Sequence, residues 1–162
     1  MGGFFCLDFY NVYAYSADMR RTLLAFFLCL PLPAQVPTPE LNKQLTELAK
    51  TLASVTYDSK KPITVEGRAT TMVWPEGTSG IVVIETAKGE RYAFSTAGVP
   101  AMAKQGFTRF ALSPGTAVKV TGLLAPGNGM IGSSWIAGRA DTIDKADGKR
   151  IFDRAKLPGG AN

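Results

Sequence analysis

The sequence predicts a mainly β protein: a small five- to six-stranded Greek-key barrel of the oligonucleotide/oligosaccharide-binding (OB) type, with a short helix between strands 3 and 4 and an amphipathic helix in front. Three observations point there. The spacing of apolar positions changes from helical to alternating at Pro62, the first strand breaks its own alternation near Thr70-Thr71, and the element order is three strands, a short helix and further strands. A β-sandwich without an internal helix is the competing arrangement.

The first element is a helix over residues 39–54. Thr38 caps it, Pro39 occupies its first turn and Glu40 sits at the positive end of its dipole. Leu41, Leu45, Leu48 and Leu52 then form one apolar stripe, opposite Lys43, Glu47 and Lys50, and this stripe is expected to pack on the domain. From Pro62 onward, Ile63, Val65, Gly67 and Ala69 share one face of a strand, while Thr64, Glu66, Arg68 and Thr70 share the other. Because the apolar set moves to Met72 and Trp74, one residue must be extra near Thr70-Thr71, which is a bulge. Residues 75–80 read as a loop and 81–85 as a strand apolar on both faces. A turn at Ala87-Lys88-Gly89-Glu90 leads into residues 91–96, where Tyr92 and Phe94 share a face.

Pro100 and Gly106 bracket a short helix over residues 99–106. Ser113-Pro114-Gly115 turns into a strand over 116–124, and the loop Pro126-Gly127-Asn128-Gly129 precedes another over 135–144. Gly67 and Gly122, inside strands, are read as places of bending or close backbone approach. Asp147-Gly148 is a two-residue hairpin signal joining 135–144 to 149–152, and residues 155–162 are read as a flexible tail. The organisation is thus a leader over 1–34, a helix segment over 35–56, a β-barrel over 57–154 and the tail.

The leader is an address. Met19-Arg20-Arg21 starts a basic segment that runs into the uncharged stretch 22–30 and breaks at Pro31 and Pro33, the layout of a signal peptide with cleavage after Ala34. The eighteen residues before Met19 contain Asp8 and Asp18, unlike a signal's basic start, so Met19 is read as the true initiator. The apolar run falls short of the ~20 residues a membrane-spanning helix needs. The expected location is therefore periplasmic or secreted, with no transmembrane segment in the mature chain.

Composition narrows the chemistry. The 162 residues are 46% hydrophobic and 19% charged, with 18 basic and 13 acidic side chains, a net charge of +5, no histidine and two cysteines. Without histidine, the usual neutral-pH general base, imidazole metal ligand and Ser/His or Cys/His nucleophile pairs are excluded. Cleavage after Ala34 removes Cys6 and Cys29 and leaves the net charge unchanged, since Arg20 and Arg21 leave with Asp8 and Asp18. Disulfides and thiolate sites go with them.

The segments Tyr57-Asp58-Ser59-Lys60-Lys61-Pro62, Trp74-Pro75, Gly106-Phe107-Thr108-Arg109, Leu112-Ser113-Pro114-Gly115 and Asp147-Gly148-Lys149-Arg150-Ile151-Phe152 together resemble an exported bacterial family of unknown function, over residues 57–154. The resemblance implies export and a small β-rich domain, and no particular activity. Members often carry histidines before the position of Tyr57 and an Asn-Pro-His corner after the tryptophan. Here the corner is Pro75-Glu76-Gly77, so no metal or proton role of those histidines carries over.

Asp141, Asp144 and Asp147 are the one acidic cluster; strict alternation would put Asp141 and Asp144 on opposite faces, and they are read as solvated acids. The glycines at 127, 129 and 132 lack the Gly-Lys-Ser/Thr ending of a phosphate loop. No catalytic residue, metal site or cofactor is predicted. The expected function is a binding or structural module for a small molecule, envelope component or partner protein, and Arg68, Arg91, Tyr92 and Trp135 are the candidate ligand-binding residues. Two alternatives stand beside it. A single-stranded nucleic-acid binder would use basic and aromatic residues on strands two and three, with Arg139 nearby; a carboxylate-dependent enzyme would need two convergent acids.

Overall fold

A long strand carrying one inserted residue bends, and that bend organises the molecule. The structure is a computed structural model describing residues 38–108, 110–130 and 135–157. The leader with Met19 and its cleavage point, Arg109, Gly132 and the chain from 158 onward lie outside the described residues. Strand β1 (Pro62–Val73) pairs through Pro62–Arg68 with β4 (Ala117–Leu124) and through Arg68–Val73 with β2 (Ser79–Glu85). Its register against β2 shifts between Ala69 and Thr71, at the bulge the alternation predicts.

β2 pairs antiparallel with β3 (Arg91–Gly98), and β4 pairs antiparallel with β5 (Ile136–Lys145). A parallel pairing of Tyr92–Ser95 with Ile136–Arg139 joins β3 to β5 and closes the ring β1-β2-β3-β5-β4. Helix α2 (Val99–Lys104) stands between the third and fourth strands, and β6 (Arg150–Asp153) forms a hairpin with the far half of β5. The molecule is therefore the five-stranded OB-type barrel with one added strand, not a sandwich.

Two details depart from simple alternation. Ser79 and Gly80 belong to β2 rather than to the preceding loop, because Gly80 lies against β3 and α2: a Cβ there would stand 2.9 Å from Thr96 Oγ1 and 3.0 Å from Met102 Cε. The Thr96 hydroxyl donates to the Gly80 carbonyl at 3.0 Å. In β5, the register shifts between Thr121 and Gly122 of its partner, leaving Asp141 as the extra residue. Ala140 and Ile143 both point into the core, so Asp141 and Asp144 both lie on the outer surface instead of on opposite faces.

The barrel interior is filled by Val65, Val82, Ile84, Phe94, Val120, Ile143 and Phe152, with Met102 of α2 and Phe107 buried among them. A second apolar cluster lies outside the barrel. Helix α1 (Pro39–Ala53) buries Leu45, Leu48, Ala49 and Leu52 against Val73, Ile81, Val83, Ala93 and Ala137, with Leu41 partly buried beside them. Each leucine so covered contributes about 1.5–3 kcal/mol of transfer free energy, enough to hold a helix that would be marginal alone.

Thr38 caps α1 as predicted, its Oγ1 accepting from Leu41 N at 3.3 Å. Thr38→Ala should lower stability by about 1 kcal/mol in urea unfolding. A loss indistinguishable from that of an exposed mid-helix change such as Lys43→Ala would show that the cap contributes nothing.

Uncovered by α1, the outer face of β1, β4, β5 and β6 is polar. Lys119 Nζ lies 3.0 Å from Glu66, and Arg150 Nε lies 2.8 Å from Asp144, with Glu66 opposite Lys119, Lys119 opposite Asp144 and Asp144 opposite Arg150 in register. These exposed pairs are screened by water and contribute little each. No helix among the described residues is long and apolar enough to cross a membrane.

Candidate functional site at the β3–β5 seam

The four residues chosen by chemistry do not form one patch. Arg68 is exposed on β1, and its guanidinium donates to the Gly115 carbonyl at 3.0 Å, steadying the turn into β4. Arg91 lies 4.8 Å over the ring of Trp135, a cation–π contact, while Trp135 packs on the α1 cluster. Arg68 and Arg91 sit in one cross-strand row with Glu85 between them. Tyr92 faces the other way: it stacks on Phe94 at 6.0 Å and packs against the barrel interior.

A denser polar cluster forms where the parallel pairing of β3 and β5 ends. The parallel pairing ends at Ser95 and Arg139, and next to that end carbonyl groups of both strands accept from a side chain instead of from each other. Arg154, in the 3-10 turn Arg154–Lys156 that follows β6, supplies that side chain. Its Nε donates to Ala140 O at 2.9 Å, and its Nη2 donates to Thr96 O at 2.9 Å and Ser95 O at 3.3 Å. The turn is held in place from two sides. Asp153 Oδ1 accepts from Ala155 N at 3.1 Å, and the Gln105 side chain pairs with the backbone of Asp153, accepting from its N–H at 3.0 Å and donating to its carbonyl at 2.7 Å.

Around Arg154 gather Arg139, Asp141, Ser95 and Tyr57. Asp141 Oδ1 lies 3.2 Å from Arg139 Nε and 3.5 Å from Arg154 Nε, so one carboxylate serves two guanidiniums. Arg139 lies 5.3 Å over the ring of Tyr57, whose hydroxyl donates to Leu52 O at 3.4 Å at the end of α1. Burial raises the Tyr57 phenol above its ordinary value, against the lowering pull of Ser95, Arg139 and Arg154. Burial and the charge of Arg139 lower Arg154, with Asp141 and Tyr57 acting in the opposite sense. Side-chain exposures of 22% for Arg139, 34% for Asp141 and 16% for Arg154 place the group at the surface end of a half-buried seam.

One donor of this cluster is uncommitted. Arg154 Nη1 has no acceptor among the described residues, and it is not sealed from solvent. Among the described residues, Arg139 and Arg154 share the Asp141 carboxylate, and Arg154 presents its remaining donor on a planar fork. Such an arrangement is suited to accepting an oxyanion.

Sequence reasoning placed Arg139 on a strand and Tyr57 in a motif, but assigned Arg154 to the boundary of the tail. Their meeting joins residues from the linker, two strands and the chain after β6, and no local pattern signals it. Searched against family models and curated proteins, the chain matches none of them.

Proposed function

We propose that the protein is an exported binding module, periplasmic or secreted after loss of residues 1–34, which holds an acidic group of a small molecule, envelope component or partner protein at the β3–β5 seam. The observation that carries this reading is the open Nη1 of Arg154, on a guanidinium that shares the Asp141 carboxylate at the surface end of the half-buried seam. In this reading the resemblance to an exported bacterial family supplies the compartment, and the seam supplies the site.

The position of α1 supports this over a single-stranded nucleic-acid binder. OB-type barrels hold bases on strands two and three, where aromatic side chains stack them and basic ones follow the backbone. On this chain α1 lies over that face, and beneath it are Ile81, Val83 and Ala93, which offer neither stacking nor charge. A carboxylate-dependent enzyme gains no support from Asp141 and Asp144, since each is ion-paired with arginine at a separate place.

Recovery of the native product from the cell envelope tests the reading. The expected result is a chain beginning at residue 35 by mass spectrometry, carrying an acidic compound that native mass spectrometry detects with the unaltered protein and not with Arg139→Gln. An uncleaved chain retained inside the cell would overturn the export half. A compound retained equally by Arg139→Gln would overturn the seam as its site.

A further inference from the structure

We propose a second binding site, for the carboxylate of a small organic acid, in the groove between β1, β4 and the β5–β6 turn; it stands independently of the seam. The groove is open to solvent and has a volume of about 480 Å³, within the ~300–1,000 Å³ of small-ligand sites. Four of its lining residues are charged, Glu66, Lys119, Asp144 and Lys145, and the remaining five are glycine, alanine or valine.

Strand register builds this arrangement. Gly67, Val118 and Lys145 lie opposite one another on β1, β4 and β5. Antiparallel partners share a face, so the stem of Lys145 stands beside Val118, a core residue, and the side chain is half-buried. At Gly67 the row carries no side chain, because a Cβ there would overlap the Glu85 carbonyl oxygen.

The other three charges of the groove are matched. Lys119 Nζ lies 3.0 Å from Glu66, and Arg150 holds Asp144 through Nε at 2.8 Å and Nη2 at 3.2 Å. Of the four, only Lys145 makes no ion pair or side-chain hydrogen bond among the described residues. Asp147, in the adjoining turn, is bonded to the backbone instead, its Oδ1 accepting from Lys149 N at 2.9 Å. An ammonium with three donors and no fixed acceptor suits one oxyanion, and a single carboxylate balances its charge. The small uncharged residues around it offer contact to an organic body of a few carbons, which an inorganic anion would leave unused.

The test titrates the full chain with acetate, butyrate and hexanoate at matched ionic strength, with chloride as the reference salt, and follows backbone amides by NMR. Saturable shifts are expected at Gly67, Ala146 and Gly148, with affinity rising by up to about fourfold for each CH₂ added. Lys145→Gln should weaken binding about tenfold. Ala146→Leu, which fills the groove without changing its charge, should weaken hexanoate more than acetate. Lys43→Gln, on the exposed face of α1, should change neither.

Groove shifts no larger than those of chloride, or unaltered by Lys145→Gln, would overturn the site. Equal affinity for acetate and hexanoate would overturn the organic-acid assignment. Shifts confined to the Arg154 side chain would put the acid at the seam and overturn the groove, so the two readings fail separately. Should a variant unfold, the location of the shifts in the unaltered chain and their dependence on acid length decide the same point.

Discussion

Arg154→Ala is expected to lower the unfolding free energy by about 3–5 kcal/mol. The guanidinium bonds three carbonyls, those of Ser95, Thr96 and Ala140, next to the end of the β3–β5 pairing. Ser95 and Thr96 are buried, as is Ala140, so their freed carbonyls would gain little water when the side chain is removed. Hydrogen bonds from a charged donor contribute about 1.5–3 kcal/mol each, and coupling among three on one group keeps the total below their sum.

Arg154→Lys separates charge from geometry. An ammonium on a flexible stem keeps the positive charge near Asp141 but lacks the planar fork that reaches both strands, so most of the loss should remain. Urea unfolding of both variants measures this. A loss under about 1 kcal/mol for alanine would mean that the seam closes without its plug.

Gly122→Ala is the second large effect, with an expected loss of about 3 kcal/mol. Gly122 lies on β4 opposite Ala140, next to the register shift that leaves Asp141 as an extra residue. A Cβ built there overlaps the Arg139 carbonyl oxygen and stands 2.9 Å from the Arg139 carbonyl carbon and 3.0 Å from Ala140 Cα. All three are backbone atoms, so no side chain can swing aside. β4 and β5 would have to part at this point, and Arg139 and Asp141 would shift with β5.

Gly148→Ala is the natural control. Its φ of +79° disfavours any side chain, yet nothing lies within 4 Å of the added Cβ, so the cost should stay near the ~1 kcal/mol of a left-handed backbone alone. Similar losses at both positions would remove the close-approach argument. Gly122→Ala should also reduce oxyanion binding at the seam, which Gly148→Ala should leave unchanged.

These cases mark how far local patterns reach. The alternation of Ile63, Val65, Gly67 and Ala69, followed by Met72 and Trp74, located a bulge that the pairing of β1 with β2 contains between Ala69 and Thr71. Thr38, Pro39 and the leucine stripe located α1 and its buried face for the same reason: each signal depends on residues within two or three turns of one another. The glycines at 67 and 122 were legible as close approaches because a missing side chain within a strand requires a reason.

The β5 bulge was illegible. Alternation through Asp141 and Asp144 assumes an unbroken strand, and only pairing with Thr121 and Gly122 reveals the extra residue that puts both acids outside. The site itself was equally hidden. Arg154 is the last residue of the segment read as the barrel and carries no local signal, yet its partners are 58 and 59 residues earlier at Thr96 and Ser95.

What the sequence by itself determined is therefore the order, lengths and apolar faces of the elements and the absence of imidazole chemistry. The tertiary structure alone decided that α1 lies over strands two and three, that β3 and β5 meet in parallel, and that Arg139, Arg154, Asp141 and Tyr57 converge. The division has a physical cause. Periodicity and capping are set by interactions between near neighbours along the chain, whereas a seam exists only once distant strands have closed and left carbonyl groups for a remote side chain to satisfy.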